Sequence, residues 1–294
     1  MPTNGHLKKR PAAPNRRVTG VNAPQSTPAR RLRGSLPLAF TGGAAVGILG
    51  GMIGLGGAEF RLPLLIMLFG FAALQAVIVN KALSLIVVLT ALPARLVAVP
   101  VSALTPHWDV VVNLLAGSLV GAWAGATWAT RMRSVTLYRV LAVMLVLIAA
   151  ALIANHVGTL HHVALAPATV IVSGVVAGFF IGVVAAIMGV AGGELLIPTI
   201  VLLFGTDIKT AGSLSLAVSL PTMLVAFARY SRDGSFTVLR RHARLVTVLA
   251  LGSVTGTIAG GMLLGVVPEA ILVPGLAALL LLSSIKVWKH STTE

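Results

Sequence analysis

The chain has 294 residues, of which 57% are hydrophobic and only 10% charged, whereas soluble domains carry about a quarter charged residues. That composition excludes a water-facing surface over most of the chain and makes the bilayer its solvent. The absence of cysteine excludes disulfides, thiolate metal sites and thiol catalysis; the net charge of +15 is no nucleic-acid footprint, since eight of the 22 Lys and Arg fall in the first 35 residues and the rest mainly in short loops.

Residues 1–35 hold Lys8, Lys9, Arg10, Arg16, Arg17, Arg30, Arg31 and Arg33, with no acid and scattered Pro, Asn and Gly. They read as a disordered basic tail on the cytoplasmic side. A secretory signal would place a short apolar core and a small-residue cleavage site after the charges, which this stretch does not; its Arg-rich, acid-free character is also that of an organellar transit peptide. From residue 36, hydropathy predicts apolar segments at 36–55, 58–71, 74–94, 108–130 and 136–154. After an external loop at 155–167, five more follow at 168–190, 193–206, 209–228, 243–264 and 269–288, then a short tail at 289–294. Crossing ~30 Å of hydrocarbon takes about 20 residues, so the segments beginning at 58 and 193 are expected as half-helices or re-entrant arms. The expected class is an all-α polytopic membrane protein of two repeats, 36–154 and 168–288, each with about four full transmembrane helices and one short one.

Adding 135 to a residue number carries the first repeat onto the second without a gap. Gly43, Gly47, Gly54, Gly57, Glu59, Pro63, Phe69 and Gly70 become Gly178, Gly182, Gly189, Gly192, Glu194, Pro198, Phe204 and Gly205. Farther on, Ser84 meets Ser219, and Gly117, Gly121 and Gly125 meet Gly252, Gly256 and Gly260. Loop charge predicts orientation, because cytoplasmic loops collect Lys and Arg. The tail, Arg131, Arg133 and Arg139, the 229–244 loop, Lys286 and Lys289 go inside, and the Lys- and Arg-free loops at 96–107, 155–167 and 265–268 go outside. Both termini are then cytoplasmic. The basic 229–244 loop corresponds to the nearly uncharged 94–109 loop, so the repeats are expected to be inverted, the architecture of many secondary transporters.

Two glycine-rich breaks carry the candidate chemistry. The first runs Gly54-Leu55-Gly56-Gly57-Ala58-Glu59-Phe60-Arg61-Leu62-Pro63, the second Gly189-Val190-Ala191-Gly192-Gly193-Glu194-Leu195-Leu196-Ile197-Pro198. Glycine lets the backbone leave helical geometry, and a helix restarting there, ahead of the helix-break prolines Pro63 and Pro198, offers free N–H groups to an anion. The plain alternative is close helix packing through small residues, which is the preferred reading for Gly117, Gly121 and Gly125 and their partners. Glu59 and Glu194, two of only seven acids, open the restarting segments; they read either as coupling-proton carriers or as carboxylates stabilised by a helix N-terminus. Beside an anion they must be protonated, paired or turned away, with Arg61 as one candidate partner. Lys81, with Asn80, Ser84 and, from the second half, Ser213, Ser215 and Ser219, would suit an anion, against the alternative that Lys81 snorkels to the interface. His156, His161 and His162 read as a solvated loop rather than a metal site. No metal or other cofactor is expected, and small-residue faces permit a homodimer without demanding one.

On its Gly-rich breaks followed by Pro63 and Pro198 and its Phe69-Gly70 and Phe204-Gly205 turns, the chain resembles the sulfite exporter TauE/SafE family of permeases, within the 4-toluene sulfonate uptake permease superfamily. The resemblance runs from about residue 36 to the C-terminus and implies an inner-membrane carrier of sulfite, thiosulfate, sulfonates or related anions, coupled to a proton or ion gradient. The family's two glycine motifs would correspond to Gly54–Pro63 and Gly189–Pro198. Ala58 stands where the second motif has Gly193, and Ala191 where the first has Gly56. The expected function is alternating-access movement of a small anion, a sulfur oxyanion or organosulfonate; a passive anion channel, or a transporter of an unrelated solute, is the alternative. No constellation of nucleophile, base and acid points to an enzyme.

Overall fold

Glycine punctuates long runs of apolar helix, and the helices end where it falls. The structure, a computed structural model, describes residues 36–53, 57–98, 105–157, 166–232, 236–263 and 269–290. Within them lie α1 (Leu36–Ile53), α2 (Ala58–Met67), α3 (Ala73–Ala98), a 3-10 turn (Thr105–His107), α4 (Trp108–Arg131), α5 (Ser134–Val157) and α6 (Pro167–Met188). The second half continues with α7 (Gly193–Phe204), α8 (Ile208–Ser231), α9 (Thr237–Arg241), α10 (Ala243–Met262) and α11 (Glu269–His290), and no strand occurs among the described residues. Each apolar segment expected from hydropathy is a helix whose ends fall within a few residues of expectation. The one helix not foreseen, α9, is a single turn inside the basic loop.

Among the described residues six helices are long and apolar enough to cross a membrane: those over Ala73–Thr90, Thr105–Arg131, Ser134–Ala151, Pro167–Met188, Thr210–Ser231 and Ala243–Met262. By contrast α2 and α7, with 10 and 12 residues, reach only about 15 and 18 Å, too short to span. On α4, the half-exposed Trp108 and Trp128 stand about 30 Å apart along the axis, one hydrocarbon thickness, as interfacial aromatic anchors do. Local signals account for the helix ends. Pro167 opens α6, where a missing N–H costs nothing, and the Asp207 carboxylate accepts the Thr210 N–H at 3.1 Å to cap α8. Gly70 and Gly205, counterparts under the offset of 135, both take positive φ (69° and 67°) after the short helices.

The halves pack chiefly on each other. Helix α1 lies along α10 and α6 along α4, with glycines at the seams. A methyl on Gly47 would fall on the Ser253 carbonyl oxygen, and one on Gly182 on that of Ser118. From the facing helices, Gly256 meets the Ala44 carbonyl and Gly121 that of Phe179. Each of these contacts becomes its partner when 135 is added or subtracted. The packing reading of these glycines therefore holds, and each half makes to the other the contact that the other makes to it. Ser118 and Thr222 share a buried 2.8 Å hydrogen bond between α4 and α8, and His242 after α9 meets Phe71 edge-on, with ring centroids 5.1 Å apart.

Candidate substrate site

The second break begins where α6 stops. Gly189 adopts φ 71° and Gly192 φ 83°, and the chain reverses so that Gly192 lies against Ile181 and Ala185 of the helix it has just left. In the first half Gly57, with φ 67°, packs against Val46 and Gly50 in the same way, seven and eleven residues back. Both positions require a left-handed backbone; a Cβ at Gly57 would also fall on the Val46 carbonyl oxygen, and one at Gly192 would press on the Ile181 and Ala185 side chains. Gly54 and Gly56 lie outside the described residues.

A helix leaves its last carbonyls without intrahelical donors, and at the end of α6 they are buried among side chains, away from water. Side chains of α3 and α8 supply what α6 lacks. The Lys81 ammonium donates to the carbonyls of Ala185 (2.8 Å) and Val190 (2.7 Å), the Asn80 amide to Met188 (3.1 Å), and the Ser84 hydroxyl to Gly189 (3.2 Å). From α8, the Tyr230 hydroxyl donates to Ala186 (3.0 Å). Asn80 also reaches the Ala58 carbonyl at the start of α2 (3.0 Å), so one amide ties the two breaks together. The snorkelling alternative for Lys81 fails: its side chain is fully buried, and its charge sits at the negative end of α6. Tyr230 escaped sequence reasoning because a tyrosine next to a basic loop reads as an interfacial anchor.

Glu59 and Glu194 stand in the first turns of α2 and α7, as expected. Their carboxyls hydrogen-bond to each other, and each also accepts its own backbone N–H. They are counterparts under the offset, so equivalent residues of the two halves meet here. Arg61 is fully buried two positions beyond Glu59, close enough to feel its charge.

The prolines are not the breaks. Pro63 and Pro198 each lie inside a short helix, sixth in order, and end neither. Lacking an N–H, each deprives the carbonyl four residues earlier of its usual donor, and those carbonyls belong to Glu59 and Glu194. Around the breaks, Glu59 Oε1, Glu194 Oε1, Asn80 Oδ1 and Ser219 Oγ are buried with no partner among the described protein atoms. Ser215 turns back to the Gly212 carbonyl (2.8 Å), while Ser213 is buried on α8. Ala58 is buried beside the carboxyl pair, while Ala191 and Gly193, where the two motifs differ, are half-buried. Of the residues behind the metal reading, His161 and His162 lie outside the described residues, and His156 falls in the last turn of α5, where only its backbone is described.

Residues 7–152 and 162–293 match the sequence profile described as "Sulfite exporter TauE/SafE". The chain belongs to the TauE/SafE family. Its two matched stretches cover nearly all of the chain and begin well before residue 36, inside the basic tail. TauE/SafE proteins are membrane transporters and not enzymes. No curated protein and no solved structure gave a significant match.

Proposed function

We propose that this TauE/SafE protein carries a small anion, a sulfur oxyanion or organosulfonate, by alternating access about the line between the two short helices, in company with a proton. The observation that carries this reading is the contact between Glu59 and Glu194 at the N-termini of α2 and α7. The first amides of a helix are an anion seat, and here each carboxyl occupies its own. A proton reaching the pair weakens a carboxyl's hold on its amide and frees that N–H for the substrate. Proton and anion thus bind together, and a bare carboxylate excludes the anion by charge. Asn80 Oδ1 accepts from a protonated substrate oxygen, Ser219 Oγ donates to a bare one, and Lys81, which has three N–H donors and spends two on carbonyls, turns the third toward it.

The halves are read as inverted in the membrane, with both termini cytoplasmic in a cell inner membrane, which puts the paired breaks near the bilayer midplane. Rocking one repeat against the other about the line between the two short helices then exposes the same carboxyl pair to either side.

Uptake of external radiolabelled sulfite, thiosulfate or taurine into proteoliposomes tests the reading. Flux of at least one of them, accelerated by an inward proton gradient and losing that acceleration in Glu59→Gln and Glu194→Gln at matched expression, is the expected result. Gradient-independent flux at channel rates would point to a passive pore, and no flux of any sulfur anion would remove the substrate class.

A further inference from the structure

Between α4, α5, α6 and α11 lies an open cavity of about 660 Å³. Its walls are apolar except for one cation, Arg139. Trp128 and Trp288 stand with Arg139 at one end, the Arg139 guanidinium 5.8 Å from the Trp288 ring centre. Val143 and Phe180 carry the cavity away from that end toward the helix middles. An ordinary lipid-facing helix surface is convex and uniformly apolar; this one is a concave slot with a charged and aromatic mouth.

The mouth is electrostatically one-sided. Exposed Arg131, Arg133, Lys286 and Lys289 surround it at the ends of α4 and α11. No acid occurs in the sequence between Asp109 and Glu194, nor between Glu269 and Glu294. An amphiphile with an anionic head and an apolar tail matches both parts: the head meets the cluster of guanidinium and ammonium groups at the mouth, and the tail fills a slot with no polar group to desolvate.

We infer that this slot is a binding site for an anionic phospholipid, its phosphate on Arg139 between Trp128 and Trp288 and an acyl chain along Val143 and Phe180. Trp108→Phe and Trp123→Phe leave Trp128 and Trp288 as the only indoles. Reconstituted into vesicles with equal fractions of brominated phosphatidylglycerol or brominated phosphatidylcholine, that variant should be quenched by the anionic lipid with an apparent preference of about fivefold. Arg139 is exposed, so Arg139→Gln should fold and should abolish the preference while leaving quenching by phosphatidylcholine intact. Val143→Phe, which narrows the slot without touching charge, should lower the preference as well. Equal quenching by the two lipids in the parent, or a preference indifferent to Val143→Phe, would overturn the site. Weak quenching by both lipids in a dimeric preparation would do the same, by showing that a second copy covers the slot.

Discussion

Replacing Gly121 or Gly256 with valine tests the packing on which the site depends. At Gly121 the first added carbon lands on the Phe179 carbonyl oxygen, and at Gly256 on that of Ala44. Both obstacles are backbone, so no side chain can rotate away and two helices must separate along their length. Overpacking a tight core costs about 1–3 kcal/mol, and an obstacle that cannot relax belongs at the upper end, about 3 kcal/mol. Valine returns only a few tenths of that through its better helix propensity than glycine. Gly261 is the control, because a Cβ there meets nothing within 4 Å; Gly261→Val should stay within ~0.5 kcal/mol of the parent. Thermal unfolding of the purified protein in detergent, followed by tryptophan fluorescence, ranks the three. The two seam variants should melt well below the control and close to one another, since their sites are counterparts under the offset and meet matching backbone carbonyls. Seam variants that melt like Gly261→Val would refute the close approach, and a wide gap between the two would refute their equivalence.

Three further outcomes follow from the same structure. Ser118→Cys with Thr222→Cys should form a disulfide under mild oxidation, visible as a mobility shift reversed by reductant, because the two hydroxyls lie 2.8 Å apart and the parent chain has no cysteine to interfere. Lys81→Met should lower stability by about 2 kcal/mol, since the end of α6 loses its charged donor, while Ser219→Ala, whose hydroxyl holds no protein atom, should leave melting within ~0.5 kcal/mol and raise the KM for the transported anion. An impermeant maleimide should label Arg133→Cys only from the cytoplasmic face and Asp109→Cys only from the other, at opposite ends of α4; labelling of both from one face would sink the orientation.

Much of the architecture was legible without coordinates because a bilayer imposes simple rules on sequence. An element that crosses lipid must be an apolar helix of sufficient length, so the composition alone marked the helices and marked 58–71 and 193–206 as too short. The gap-free offset placed Glu59 opposite Glu194 in the arithmetic, and the glycine spacing predicted packing seams at Gly117, Gly121 and Gly125. These are properties of local pattern, carried by single segments. Which segments meet is another matter. That α1 pairs with α10 and α6 with α4 follows from how four separate helices share one volume, and no spacing along the chain encodes it. Only that packing brought the two carboxyls together, turned Lys81 from an isolated cation into a cap for the stranded carbonyls of α6, and recruited Tyr230 from the far end of α8 to the same helix end. The physical reason is that a helix whose end is buried in the protein must find donors wherever neighbouring helices can supply them. The sequence announces the stranded end through its glycines, while the donors come from whichever side chains tertiary packing sets beside it.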